Sequence, residues 1–121
     1  MAGSRITMGI STHILDTALG RPANDVPVSL ARWEHHLWIT LSDEGLKTDA
    51  DGRARQLLPE GVSLSPGLHR VRFETAAYYE AQRLTGLYPF VEIAFEVRDS
   101  GQHYHIPLLL TANGYTTYRG S

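Results

Sequence analysis

His103-Tyr-His-Ile-Pro-Leu-Leu-Leu-Thr-Ala-Asn-Gly-Tyr-Thr-Thr-Tyr-Arg-Gly-Ser121 is the stretch on which the reading of this chain turns. In an extended strand, successive side chains point to opposite faces. Tyr104, Ile106, Leu108 and Leu110 therefore share one face, and His103, His105, Pro107 and Leu109 share the other. The first set is a core face. The second mixes two imidazoles with a proline and a leucine, which suits a cleft or an interface between chains better than open solvent. Pro107 has no N–H to give a neighbouring strand, which predicts an edge position or a bulge. A turn containing Gly114 follows, and the stretch closes on an aromatic, a guanidinium and a hydroxyl in Tyr118-Arg119-Gly120-Ser121. Chain ends usually fray into dispensable polar residues; this one reads as an end held in place for a purpose.

Period-two alternation runs through most of the chain, with turn residues between the runs. That pattern predicts an all-β sandwich or barrel of about eight strands. Strands are expected over 9–16, 26–33, 36–42, 53–58, 68–74, 90–98, 103–111 and 115–118. Thr75-Ala-Ala-Tyr-Tyr-Glu-Ala-Gln-Arg-Leu84 breaks the rhythm with helix formers and predicts one short helix with Thr75 as its N-cap. Residues 1–8 read as an N-terminal tail and 9–121 as one domain.

Composition narrows the function classes. At 121 residues the chain suits a single domain able to bury its own core. Eleven Lys and Arg against thirteen Asp and Glu give a net charge of −2, with no basic tract to engage nucleic acid or an anionic membrane. Cysteine is absent, which excludes disulfides, thiolate metal sites and a Cys nucleophile. No apolar window approaches the ~20 residues of a membrane span, and a cytoplasmic location is expected. There is no Gly-x-Ser-x-Gly elbow, Walker loop, dinucleotide fingerprint or His-Glu-x-x-His helix.

Imidazole is the side chain best suited to moving protons near neutrality. His13, in Ser11-Thr-His-Ile-Leu-Asp16, faces away from Ile14 and so joins His103 and His105 on faces that are not core. These three histidines also supply the spacing of a weak zinc constellation. His35 and His36 are adjacent, point to opposite faces of a strand, and read as structural or exposed. His69 alternates with Val71 and Phe73 and reads as a core-face residue. Arg53 follows an Asp51-Gly52 turn; it is either a solvated cation or, with its planar paired donors, an anchor for a carbonyl or anionic group.

Taken together, these residues resemble the transthyretin-related 5-hydroxyisourate hydrolases. The matching segments are Ser11-Thr-His-Ile-Leu-Asp-Thr-Ala-Leu-Gly-Arg-Pro-Ala23, Thr48-Asp-Ala-Asp-Gly-Arg53, Tyr88-Pro-Phe-Val-Glu-Ile-Ala-Phe-Glu-Val97, and His103-Tyr-His-Ile-Pro-Leu-Leu-Leu110 with Gly114-Tyr-Thr-Thr-Tyr-Arg-Gly-Ser121. The closing tetrapeptide is the most specific of them. Thr111-Ala112-Asn113 departs from the Ser-Pro often found there, in a loop.

The resemblance implies a two-sheet transthyretin-like sandwich assembled as a homotetramer, a dimer of dimers with sites in the channel between dimers. It implies hydrolysis of 5-hydroxyisourate to 2-oxo-4-hydroxy-4-carboxy-5-ureidoimidazoline, without metal or cofactor. Carried over by motif, His13, Arg53, His105 and Ser121 are the expected catalytic residues. Tyr118, Arg119, Gly120 and His103 are the expected substrate-binding ones. A non-catalytic transthyretin-like carrier of a small ligand is the alternative.

Overall fold

A computed structural model describes residues 8–121. The expected tail therefore lies almost wholly outside the described residues. The architecture is the all-β two-sheet sandwich with one short helix. Its strands are β1 (Ile10–Asp16), β2 (Arg21–Pro22), β3 (Val28–Glu34), β4 (Leu37–Thr40), β5 (Arg53–Ala54), β6 (Gly67–Phe73), β7 (Val91–Val97), β8 (Tyr104–Thr111) and β9 (Gly114–Thr117). The helix α1 (Thr75–Ala81) lies between β6 and β7.

One sheet runs β2-β1-β8-β9, with β5 also paired to β1; the other runs β4-β3-β6-β7. All pairings are antiparallel except β1 with β8. Alternation explains the core between the sheets. Ile10 and Ile14 of β1, Leu30 of β3, Val71 and Phe73 of β6, and Leu108 and Leu110 of β8 are all at most 1% exposed. His69 is 1% exposed on the same inner face. Its Nδ1 lies 2.9 Å from the Gly67 carbonyl, its ring stacks on Phe95, and burial holds its pKa below the ordinary histidine value.

Local expectations needed several corrections. Thr75 is inside α1, with Glu74 at the N-cap and no side-chain cap; the Thr75 hydroxyl donates instead to the Tyr88 carbonyl. The helix ends at Ala81 rather than Leu84. It is pinned to β1 by Tyr78, whose hydroxyl donates to Asp16 Oδ2 at 2.7 Å. Burial, then this carboxylate, push the Tyr78 pKa up to about 12. His35 and His36 are not strand residues. With Glu34 paired to Leu37, they form the two-residue turn between β3 and β4, at φ 50° and 65°.

The expected strand from Arg53 to Leu58 is only two residues long, because the chain turns inward to bury Leu57 and Leu58. Pro107 is on an interior strand, not an edge. Tyr104 N–H points to β1, donating to Gly9, while the His105 carbonyl points the other way and accepts from Gly120 N–H. By that alternation the missing N–H of Pro107 falls on the β9 side. There the ladder stops at Thr117 and resumes only as a bridge between His105 and Gly120. The proline is thus accommodated by a gap in the ladder, and the last residues return beside His105.

Candidate active site

The parallel pairing of β1 with β8 builds one wall of the site. Its register puts Ser11 opposite His105 and His13 opposite Pro107, all on the outer face of the sheet. The antiparallel pairing of β5 then puts Arg53 opposite His13. Three segments far apart in sequence meet here because two strand registers coincide on β1.

The turn before β5 is fixed by the chain itself. Asp49 Oδ1 accepts from Asp51 N–H at 2.9 Å and from Arg53 N–H at 3.0 Å, and those bonds, that to Arg53 foremost, lower the Asp49 pKa. Gly52 has φ 75°, a backbone region that side chains resist. Its carbonyl accepts from Ile14 N–H at 2.7 Å, and a Cβ on it would run into the Ile14 carbonyl oxygen. Only glycine lets the Arg53 turn lie this close to β1.

Ser11, Thr12, Arg53, Arg55, His103, His105 and Ser121 line an open cleft of about 300 Å³. Ser11 Oγ lies 2.7 Å from His105 Nδ1 and 2.8 Å from His103 Nε2. The other edge of the His105 ring lies against Gly120, where a Cβ would collide with His105 Cδ2. The imidazole is thus held on both edges. Burial lowers its pKa below the ordinary histidine value, and positive charge on Arg53, then His13, then His103 lowers it further. Both effects favour the neutral imidazole, which has a lone pair available for a proton.

Of the expected residues, the structure brings Arg53, His103, His105 and Ser121 together around this cleft, with Gly120 against the His105 ring. His13 flanks it, near enough to act on His105 electrostatically. Tyr118 and Arg119 line a different depression, with Ile93, Phe95 and Tyr104. The Arg119 guanidinium stacks 4.4 Å from the Tyr104 ring centroid and donates to Gln102 Oε1. Ser11 and Arg55 were missed. The same period of two that groups His13 with Leu15 also groups Ser11 with His13, and Arg53 with Arg55. Among the described residues, no group of three or more His, Cys, Asp or Glu side chains is placed to hold a metal ion.

Residues 10–120 match the family model described as the HIUase/Transthyretin family. The chain is 42% identical over 120 residues to a 5-hydroxyisourate hydrolase of Salmonella typhi, covering 99% of this chain and 84% of that protein. Its fold superimposes on the structure of Klebsiella pneumoniae 5-hydroxyisourate hydrolase with a TM-score of 0.81, at 33% identity, covering 95% of this chain and all of that one. It also superimposes on sea bream transthyretin in complex with thyroxine, with a TM-score of 0.82 at 29% identity, over 92% of this chain and 93% of that one.

Proposed function

The chain belongs to the HIUase/Transthyretin family, and from that premise we propose that it hydrolyses 5-hydroxyisourate in the cleft around His105. The reaction opens a ring by adding water to a carbonyl and breaking its C–N bond, so that the carbon leaves as a carboxyl group and the nitrogen as part of a ureido group. Such a step needs a base for the water, a counter-charge for the oxyanion, and a proton for the departing nitrogen. The observation that carries the reading is an imidazole, favoured in its neutral form, lining one cleft with the turn-fixed Arg53.

In this reading His105 takes a proton from water as the water attacks the carbonyl carbon. The resulting imidazolium then gives that proton to the departing nitrogen. Arg53 lowers the His105 pKa beforehand and meets the negative charge that develops on the carbonyl oxygen. Arg55 adds a second cation at the same wall. His103 and Gly120 pack or bond against the base and its support, and the Ser121 hydroxyl orients water or substrate. His13 flanks the cleft on β1, opposite Arg53.

The family offers both a hydrolase and a thyroxine-bound transthyretin as structural relatives, and the polar cleft favours the hydrolase. The test uses urate and urate oxidase to generate 5-hydroxyisourate in place. Added to this mixture, the protein should accelerate the ultraviolet decay of the intermediate. Decay at the uncatalysed rate, with the protein correctly folded, would sink the reading. Arg53→Lys should lose about 10²-fold in kcat, because a point charge cannot replace a planar pair of donors aimed at an oxyanion. Turnover equal to the parent would reduce Arg53 to a surface charge.

The site is proposed to be completed in a homotetramer. Strands β7 and β9 each have one unpaired edge. Beside them lie exposed apolar residues, Leu87 (66%), Tyr88, Phe90 and Tyr115, with Tyr88 and Tyr115 packed edge-on at 5.5 Å. These features suit edge-to-edge dimerisation, in which an added strand covers an otherwise open edge. The outer face of β1 and β8, which carries the cleft, would then meet the second dimer. Activity per chain should fall as the protein is diluted through its assembly constant, in step with loss of the tetramer in sedimentation. A fully active monomer is the contradicting result.

A further inference from the structure

Ser11 is a small polar residue on the outer face of β1, 8% exposed, and nothing in the chemistry above requires it. Yet its hydroxyl is within hydrogen-bond distance of two histidines at once, His105 Nδ1 at 2.7 Å and His103 Nε2 at 2.8 Å. A serine hydroxyl has one proton to donate and lone pairs to accept. If both contacts are hydrogen bonds between neutral groups and the hydroxyl proton stays within the bridge, the hydroxyl accepts from one ring and donates to the other. The bridge therefore has two possible directions, and each fixes a different tautomer of His105.

In the first direction, His105 Nδ1–H donates to Ser11 Oγ, and the Ser11 hydroxyl donates to His103 Nε2. His105 Nε2 is then a bare lone pair. In the second, His103 Nε2–H donates to Ser11, Ser11 donates to His105 Nδ1, and the His105 proton sits on Nε2. Only the first leaves Nε2 able to accept a proton from water.

Two features of the site select between them. The Cδ2 edge of the His105 ring lies against Gly120 and its Nδ1 edge faces Ser11, so Nε2 is the nitrogen left for a reacting group. Arg53 supplies positive charge to this ring, and Arg55 lines the same cleft. A guanidinium has donors and no acceptor, so it favours a neighbouring lone pair over a neighbouring N–H. We infer that Ser11 is a positioning residue for the hydrolysis, which holds His105 in its Nδ1–H tautomer by accepting from Nδ1 and passing its own proton to His103 Nε2.

This rests on the reading of His105 as the base, and the test separates the two. Protein labelled with ¹⁵N at histidine is examined by long-range ¹H–¹⁵N correlation at a pH where His105 is neutral, which tells an Nδ1–H ring from an Nε2–H ring. In the parent, the His105 proton is expected on Nδ1. In Ser11→Ala the Nε2–H form should gain population, and kcat should fall about tenfold with KM little changed, the effect of one lost hydrogen bond. Ser11→Thr, which keeps the hydroxyl, should restore both the tautomer and most of the rate.

A parent ring protonated on Nε2 would overturn the inference without any variant having to fold. So would a Ser11→Ala protein with the parent's tautomer and rate, provided His105→Ala is inactive. If His105→Ala itself turns over like the parent, the assignment of the base fails first and the inference falls with it.

Discussion

His105→Ala is expected to lose about 10²–10⁴-fold in kcat toward 5-hydroxyisourate, the range that a positioned proton-transfer group supplies. The loss should fall on kcat more than on KM, because Arg53, Arg55 and the cleft walls would still bind substrate. Stability should hardly change. His105 is half-buried on the outer face of the sheet, while the core behind it is built from Tyr104, Ile106, Leu108 and Leu110. Thermal unfolding of the variant within a few degrees of the parent, with turnover nearly gone, is the expected pair of observations. A variant that keeps near-full turnover removes His105 from the chemistry and leaves His103, which lines the cleft with Arg53, and His13, opposite Arg53 on β1, as the remaining imidazoles.

Gly52→Ala is the second large effect, and it acts on the fold and the site together. An alanine at φ 75° costs about 1–2 kcal/mol for the left-handed backbone alone. Here the new methyl also meets the Ile14 carbonyl, part of the β1 backbone, which cannot swing away as a side chain can. A total of about 3 kcal/mol is expected. At an m value of about 1.5 kcal/mol/M, that lowers the urea midpoint by about 2 M. Gly45→Ala is the control: Gly45 has φ 81° but open space where its Cβ would be, so it should show the backbone cost alone. Relief of the clash in Gly52→Ala requires β5 to move away from β1, carrying Arg53 with it. A displacement of about 1 Å is enough to cost about 10²-fold in rate. Equal stability losses in the two variants would mean that the close approach at Gly52 is unimportant.

Much of the fold was legible because period-two alternation records which face of each strand is buried. The inner faces of β6 and β8 follow from Val71 and Phe73 and from Ile106, Leu108 and Leu110 without any structure. Features that depend on partner strands were not legible in the same way. Pro107 excludes a donor at one position, but the sequence does not say which side of the strand that donor would face. The β8 register shows that it faces a gap in the β9 ladder. His35 and His36 looked like strand residues because a two-residue turn with positive φ ordinarily announces itself with Asn or Gly.

The site divided along the same line. Resemblance supplied its expected members, and alternation independently turned His13 and His105 away from the core. The meeting of Ser11 with both His103 and His105 depends on a parallel register between strands about ninety residues apart, a non-local pairing that local pattern does not encode. Arg55 was within reach of the alternation that begins at Arg53, but the observed strand ends at Ala54, so its place at the cleft depends on the chain beyond the strand.

The central claim is that His105 works as a neutral base whose pKa is held down by burial and by Arg53. Its most direct test is the pH dependence of kcat/KM for 5-hydroxyisourate hydrolysis. A base must be unprotonated, so activity falls as pH drops through its pKa. Because that pKa is lowered in the folded protein, the acidic limb should lie below the ordinary histidine value of about 6.5. It should shift upward in Arg53→Gln, which removes the neighbouring charge. An acidic limb at or above the ordinary value, unmoved by Arg53→Gln, would contradict the account.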